Sequence, residues 1–294
     1  MHKVLGDRKA IAILLGPALL LYTLIIIVPV VWSLGLSFFE GNAFAGFTFV
    51  GLDNINRLIA DQRVHQALWF TIRFGVVVTL AQVLTGYLLS LFYVFILKKA
   101  SALIRTLVFF PVIIPTVAVG LMFRQFFEYA PRTGPINVFI QWAGGGAIDW
   151  FADGGTAFWV IIAMEVWRSM GFYAVLLYAG LMDIPEETLE SARLDGASGF
   201  RLLRHIVFPL SLPVLFSALI FSINGTLKIF DTVVALTNGG PGRQTTPLTL
   251  LMFRTSFAYG QYGYGASIAM LLTILCLIVT LVIFRGQRRD LTKA

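Results

Sequence analysis

The chain has 294 residues, 58% of them hydrophobic and 13% charged, with a mean hydropathy of +0.84. A soluble domain runs nearer to about 45–50% apolar and about 25% charged, so there is too little polar surface here to cover a water-facing globule. A single cysteine, Cys276, excludes a disulfide framework and a cysteine-based metal site. The net charge of +7 does not indicate a nucleic-acid partner, because the basic residues fall at the ends of apolar runs, where membrane topology places them.

A helix needs about 20 apolar residues to cross roughly 30 Å of hydrocarbon. In chain order, six stretches meet that length: 11–36, 67–97, 102–127, 157–183, 207–236 and 265–285. The sequence therefore predicts an all-α integral membrane protein, a single polytopic domain over 1–294 with about six transmembrane helices. The triplet AFA at 43–45 looks like a signal-cleavage site, but a signal core spans only about 7–15 residues, so an uncleaved first span is expected. Pro17 and Pro29 interrupt the first span and Pro111 and Pro115 the third. Kinks there are tolerated where neighbours satisfy the freed carbonyls. The stretches at 128–156 and 237–264 carry GGGAIDWFADGG and NGGPG and read as turns.

Lysine and arginine then set direction. One set of ends carries Lys3, Arg8 and Lys9; Lys98, Lys99 and Arg105; Arg193, Arg201 and Arg204; and Arg285, Arg288, Arg289 and Lys293. The opposite ends carry only Arg57, Arg63, Arg132, Arg243 and Arg254. The bias places both termini, and the loop between the fourth and fifth spans, in the cytoplasm.

That loop, ESARLDGASGFRLLRHIVFPL at 190–210, is charged and glycine-broken between membrane-length runs. Pro185 suits a helix first turn, and Glu186 and Glu187 favour its positive end. Gly196 allows a turn, and Ser198 can cap a second short helix. On that helix Phe200, Leu203, Ile206 and Val207 fall on one side and Arg201, Arg204 and His205 on an adjoining face, with Pro209 near the membrane entry. From physics alone two roles fit: a helix lying on anionic lipid headgroups, or a protein-docking element.

The same stretch resembles the EAA loop of ABC-importer permeases. That pattern runs Glu-Ala-Ala, two residues, Asp-Gly-Ala, five residues, Phe, two residues, Ile, one residue, Leu-Pro. Glu190, Ala192, Asp195, Gly196, Ala197, Ile206 and Pro209 match it in register, with Ser191, Leu203 and Phe208 standing for Ala, Phe and Leu. FVGLDN at 49–54, EVWRSMGFYAVLLYAGLMDIP at 165–185 and FDTVVALTNGGPGRQTT at 230–246 resemble the carbohydrate branch, and the GGP-bearing loop is similar to the F-type subunit of maltose-type permeases. The permease-like core covers roughly 66–285. The resemblance implies a bacterial or archaeal inner-membrane importer subunit for a sugar or oligosaccharide, working by alternating access. It implies a second homologous permease, an ATP-binding subunit dimer that holds ATP and Mg, and an extracytoplasmic solute-binding protein. In this resemblance Gly196 is the turn, Glu190 and Asp195 orient the loop, and Leu203 and Ile206 insert into the ATPase.

No phosphate-cradling loop is present, since no Gly-Lys dipeptide occurs. His2, His65 and His205 lack zinc-ligand spacing, and there is no G-x-S-x-G elbow, so neither a metal site, a cofactor nor catalysis is expected in this chain. Charges at membrane depth usually face a cavity or a partner. Asn224, Lys228 and Asp231 are spaced to form one stripe on the fifth span, and Glu165, Arg168 and Ser169 do the same on the fourth. Glu165 and Lys228 are each roughly 12 Å deep at about 1.5 Å per residue and are placed to pair. Two roles fit this cluster: a polar cavity for solute hydroxyls, with Trp167, Phe172 and Tyr173 as stacking faces, or a structural ion-pair group. The competing functions are an ABC permease for glycerol-phosphate esters or another polar solute, and an ion-coupled secondary transporter, whose usual internal repeat is not evident.

Overall fold

The computed structural model describes residues 8–42, 44–97, 101–130 and 133–291. Lys3, Lys98, Lys99, Arg132 and Lys293 of the charge pattern, His2, and Ala43 of the AFA triplet lie outside them. Helix α1 runs as Arg8–Tyr22, a π-turn Thr23–Ile27 and Val28–Leu36. A hairpin of β1 (Phe39–Asn42) and β2 (Gly46–Phe49) follows, pairing Phe39 with Phe49, then α2 (Asp53–Ala60) and α3 (Gln62–Leu97, its last turn π). Next come α4 (Ser101–Ile113), α5 (Thr116–Phe126), α6 (Pro135–Trp142) and α7 (Gly154–Met182). The chain closes with α8 (Glu186–Leu194), α9 (Gly199–Thr226), α10 (Asp231–Leu236), α11 (Leu248–Ala258) and α12 (Tyr262–Leu291).

Among the described residues five helices are long and apolar enough to cross a membrane, and the pair α4–α5 makes a sixth span only if counted as one broken crossing. The third span is not a gently kinked rod: α4 and α5 meet at 95°. Pro115 has no N–H to continue the ladder, and its ring disfavours helical geometry at Ile114. The fifth span also differs, ending at Thr226 rather than 236. The Thr226 hydroxyl bonds the Ser222 and Ile223 carbonyls at 3.1 Å each, and the following N–H groups of Lys228 and Ile229 bond back only three residues. The side chain thus competes with the ladder and the turn tightens to a stop. The glycine-rich stretches expected to be turns contain α6 and α11.

The described residues form two compact units. One comprises the chain up to Val64 together with Leu251–Leu271. Its α1 presents no buried residue over the apolar run, as a lipid-facing helix does. Asn54, 5% exposed, donates to the Ser37 and Phe39 carbonyls at 3.0 and 2.8 Å and so fastens α2 to the hairpin.

The other unit comprises His65–Leu250 and the chain from Leu272. Phe70, Phe74 and Val78 of α3 pack with Phe123 of α5, Phe158, Ile161 and Met164 of α7, and Val233 and Leu236 of α10. In a membrane the lipid is as apolar as these side chains, so helices associate by close packing and internal polar bonds. Gly171 lets α7 lie against the α4 backbone at Val108, and Gly86 lets α3 lie against Tyr173; a Cβ at either would collide.

Candidate functional site

Among the described residues, two places in the larger unit hold candidate residues singled out by sequence. The first is the loop α8–α9. Helix α8 ends in a Schellman turn: Ala197 N–H donates to the Ala192 carbonyl at 2.9 Å and Gly196 N–H to that of Arg193 at 3.0 Å. The turn needs a residue at positive φ, and Gly196 sits at +85°. Ala192 and Ala197 belong to one apolar cluster with Leu181, Leu202 and Val207, so the small residues of the motif close the turn. Ser198 is extended and starts α9, but its side chain makes no capping bond.

The second helix is not a separate short one. It continues through a π-turn, Leu203–Val207, into the fifth span. There Phe208 N–H donates to the Leu203 carbonyl just before Pro209, whose missing donor would otherwise break the ladder. Leu203 and Ile206, expected to insert into a partner, are half-buried against this chain's own cluster. The apolar side chains that stand free are Leu194, 89% exposed, and Phe200, 74% exposed. Around them Glu190, Asp195, Arg201, Arg204 and His205 are exposed.

The second place is a cavity of about 240 Å³ between α3, α4, α7 and α9. Its polar lining is Gln82, Glu165, Arg168, Ser169, Ser222 and Thr226, with Phe172, Tyr173 and Phe221 as flat walls. Glu165 is 8% exposed. Its Oε1 accepts from Arg168 Nη2 at 2.7 Å and its Oε2 from the Thr232 hydroxyl at 2.8 Å. Removing one partner of such a buried pair costs about 3–5 kcal/mol. Opposite it, the Ser222 hydroxyl donates to Gln82 Oε1 at 2.8 Å and to Thr79 Oγ1 at 3.2 Å, and Thr79 and Thr226 share a bond of 3.2 Å.

Of the residues singled out by sequence in the apolar runs, the fold brings Glu165, Arg168 and Ser169 to this cavity. Glu165 pairs with Arg168 and not with Lys228. The stripe on the fifth span does not form, because the helix stops at Thr226. Asn224 turns to Thr280 of α12 at 3.0 Å, and Lys228 and Asp231 are exposed beyond the helix end. Phe172 and Tyr173 line the cavity, whereas Trp167 packs on Phe123 at 5.6 Å. Sequence reasoning missed Gln82, Ser222 and Thr226. The available signal was an amide on one apolar run and hydroxyls four apart on another.

Both the sequence and the fold of this chain match known proteins. Residues 82–289 match the family described as binding-protein-dependent transport system inner membrane component. The chain belongs to that family. It is 31% identical over 286 residues to the trehalose/maltose transport system permease protein MalF of Thermococcus litoralis, covering 96% of this chain and 95% of that one. It is equally 31% identical to the sulfoquinovosyl glycerol transport system permease protein SmoG of Agrobacterium fabrum, covering 96% and 91%. Its fold matches a solved bacterial ABC transporter that imports the acidic polysaccharide alginate, with a TM-score of 0.81 and 20% identity over 98% of each chain. The chain is thus a multi-pass inner-membrane permease of the ABC-importer type.

Proposed function

We propose that this permease carries a sugar or oligosaccharide. It forms the solute path by alternating access, while ATP and Mg are bound and hydrolysed by a separate subunit dimer. The observation that carries this reading is the α8–α9 loop. It is a rigid, Schellman-closed turn with free apolar side chains at Leu194 and Phe200, and its second helix is continuous with a membrane span. A movement imposed on such a loop passes into the bundle without a flexible joint, which is the physical requirement for coupling. The sugar cargo is supported by the relatives' names and by a cavity of hydroxyl, amide and aromatic character. A second permease and an extracytoplasmic solute-binding protein complete the assembly, with both termini and the α8–α9 loop in the cytoplasm.

The test is purification of the chain from native membranes under mild conditions. A P-loop ATPase and a second permease should accompany it. Gly196→Val and Asp195→Lys should abolish uptake while the protein remains inserted. Normal uptake by both variants, or ion-driven uptake by the chain alone, would overturn the reading.

A further inference from the structure

We propose that the cavity between α3, α7 and α9 is built for an uncharged, polyhydroxylated ring, and that Glu165 makes it so by cancelling the charge of Arg168. This rests on reading that cavity as the solute site. Two of its lining side chains, Glu165 and Arg168, are an acid and a base, and they form an ion pair at 2.7 Å. Both Glu165 oxygens are engaged, one by Arg168 and one by Thr232, so the carboxylate is already occupied by protein donors. Lys228 and Asp231 are outside the lining and leave the balance at zero.

What faces the interior is neutral. The hydroxyls of Ser169, Ser222 and Thr226 already donate within the protein, so what they and Gln82 present to a solute hydroxyl is neutral: hydroxyl oxygens that accept and an amide N–H that donates. Phe172 and Phe221 lie 5.4 Å apart with their planes inclined at 30°, and Phe172 meets Tyr173 edge-on at 5.2 Å, giving apolar faces for the C–H side of a ring. The Nε of Arg168 is buried and has no acceptor among the described residues, so it can donate to a neutral oxygen. At 240 Å³ the cavity is smaller than the about 300–1,000 Å³ of drug-sized sites and suits one ring at a time. A carboxylate or sulfonate entering here would be a new charge in a low-dielectric space whose cation is already neutralised. The fold alone does not set this preference, since an importer of the same fold carries an acidic polysaccharide.

The assembled transporter, purified without its binding protein, is probed by saturation-transfer NMR with maltotriose and raffinose as uncharged probes and trigalacturonate as the anionic one. At least one uncharged probe should make contact, and trigalacturonate should bind at least about tenfold more weakly than it. Glu165→Gln keeps the shape and an acceptor for Thr232 but leaves the Arg168 charge free. It should raise trigalacturonate binding about tenfold or more, and adding Arg168→Gln should remove that gain. Equal binding of the two classes by the wild type, or no gain in Glu165→Gln, overturns the charge assignment while leaving the cavity a solute site. Silence of all three probes on the wild type overturns the cavity reading as well. The wild-type comparison decides the matter even if Glu165→Gln does not fold.

Discussion

The carboxylate of Asp61 accepts from Arg63 Nη2 at 2.7 Å, from the Arg63 backbone at 2.9 Å and from the Tyr264 hydroxyl at 2.7 Å. Arg57 lies over the Tyr264 ring at 4.0 Å. The side-chain bonds from Arg63, opposed by burial and aided by Tyr264, hold the Asp61 carboxyl well below the usual carboxylate range. A group depressed in the folded state contributes stability that is complete above its unfolded value, about 3.9, and is lost as pH falls toward the folded value. Asp61→Asn should therefore lower the melting temperature at pH 7, and the gap to wild type should close below about pH 4. Because Arg63 is 42% exposed and screened, the effect should be about 0.5–1 kcal/mol. A gap independent of pH would mean that the carboxylate charge plays no part. The same scale separates docking from folding in the α8–α9 loop. Leu194→Asp and Phe200→Asp alter exposed side chains, so melting should stay within about 0.5 kcal/mol while ATPase co-purification falls about tenfold. Leu203→Asp places a charge against Leu181 and Leu202 and should lower the melting temperature itself. Normal co-purification of both exposed variants would move the docking surface elsewhere.

At the scale of elements, the turn after α8 depends on one backbone conformation. A side chain at positive φ costs about 1–2 kcal/mol, so Gly196→Ala should destabilise by about that much and Gly196→Val by more, read as a melting shift in the detergent-solubilised protein. Equal melting for all three would mean that the turn rearranges without penalty. This turn was legible in the sequence because its causes are local: an Asp-Gly-Ala step, with an alanine five residues before the last Ala to close it. The apolar runs were legible for the same reason, and Glu165 and Arg168 stood out as charges within one of them. Apolar length, however, does not mark where a backbone stops being helical. The 95° break at Pro115 and the end of α9 at Thr226 lie inside runs that look continuous. At the second, Thr226 also bonds Thr79, 147 residues away. The cavity shares that limit, since Gln82 and Ser222 meet across 140 residues and neither is unusual in its own run. Nor does the pattern show that α9 packs Leu203 and Ile206 partly against this chain's own cluster.

At the scale of the whole molecule, direction is the property on which coupling depends. Helix α7 has 29 residues, about 43 Å at about 1.5 Å per residue, enough to cross the hydrocarbon with turns to spare. Its C-terminal end leads into α8, and its N-terminal end is held by Gln244, whose Oε1 accepts from Gly154 N–H at 3.0 Å. The 186–209 loop and the 238–245 loop therefore belong to opposite ends of the same helix, and the proposed orientation has the first of them in the cytoplasm. In a Cys276→Ser background, Arg243→Cys should react with a membrane-impermeant maleimide in intact spheroplasts. Arg193→Cys should react only after permeabilisation and removal of the ATPase; both side chains are exposed on this chain. The reverse pattern would invert the chain. It would also place the motif-bearing loop where no ATP is available, and the coupling role of α8 and α9 would fall with it.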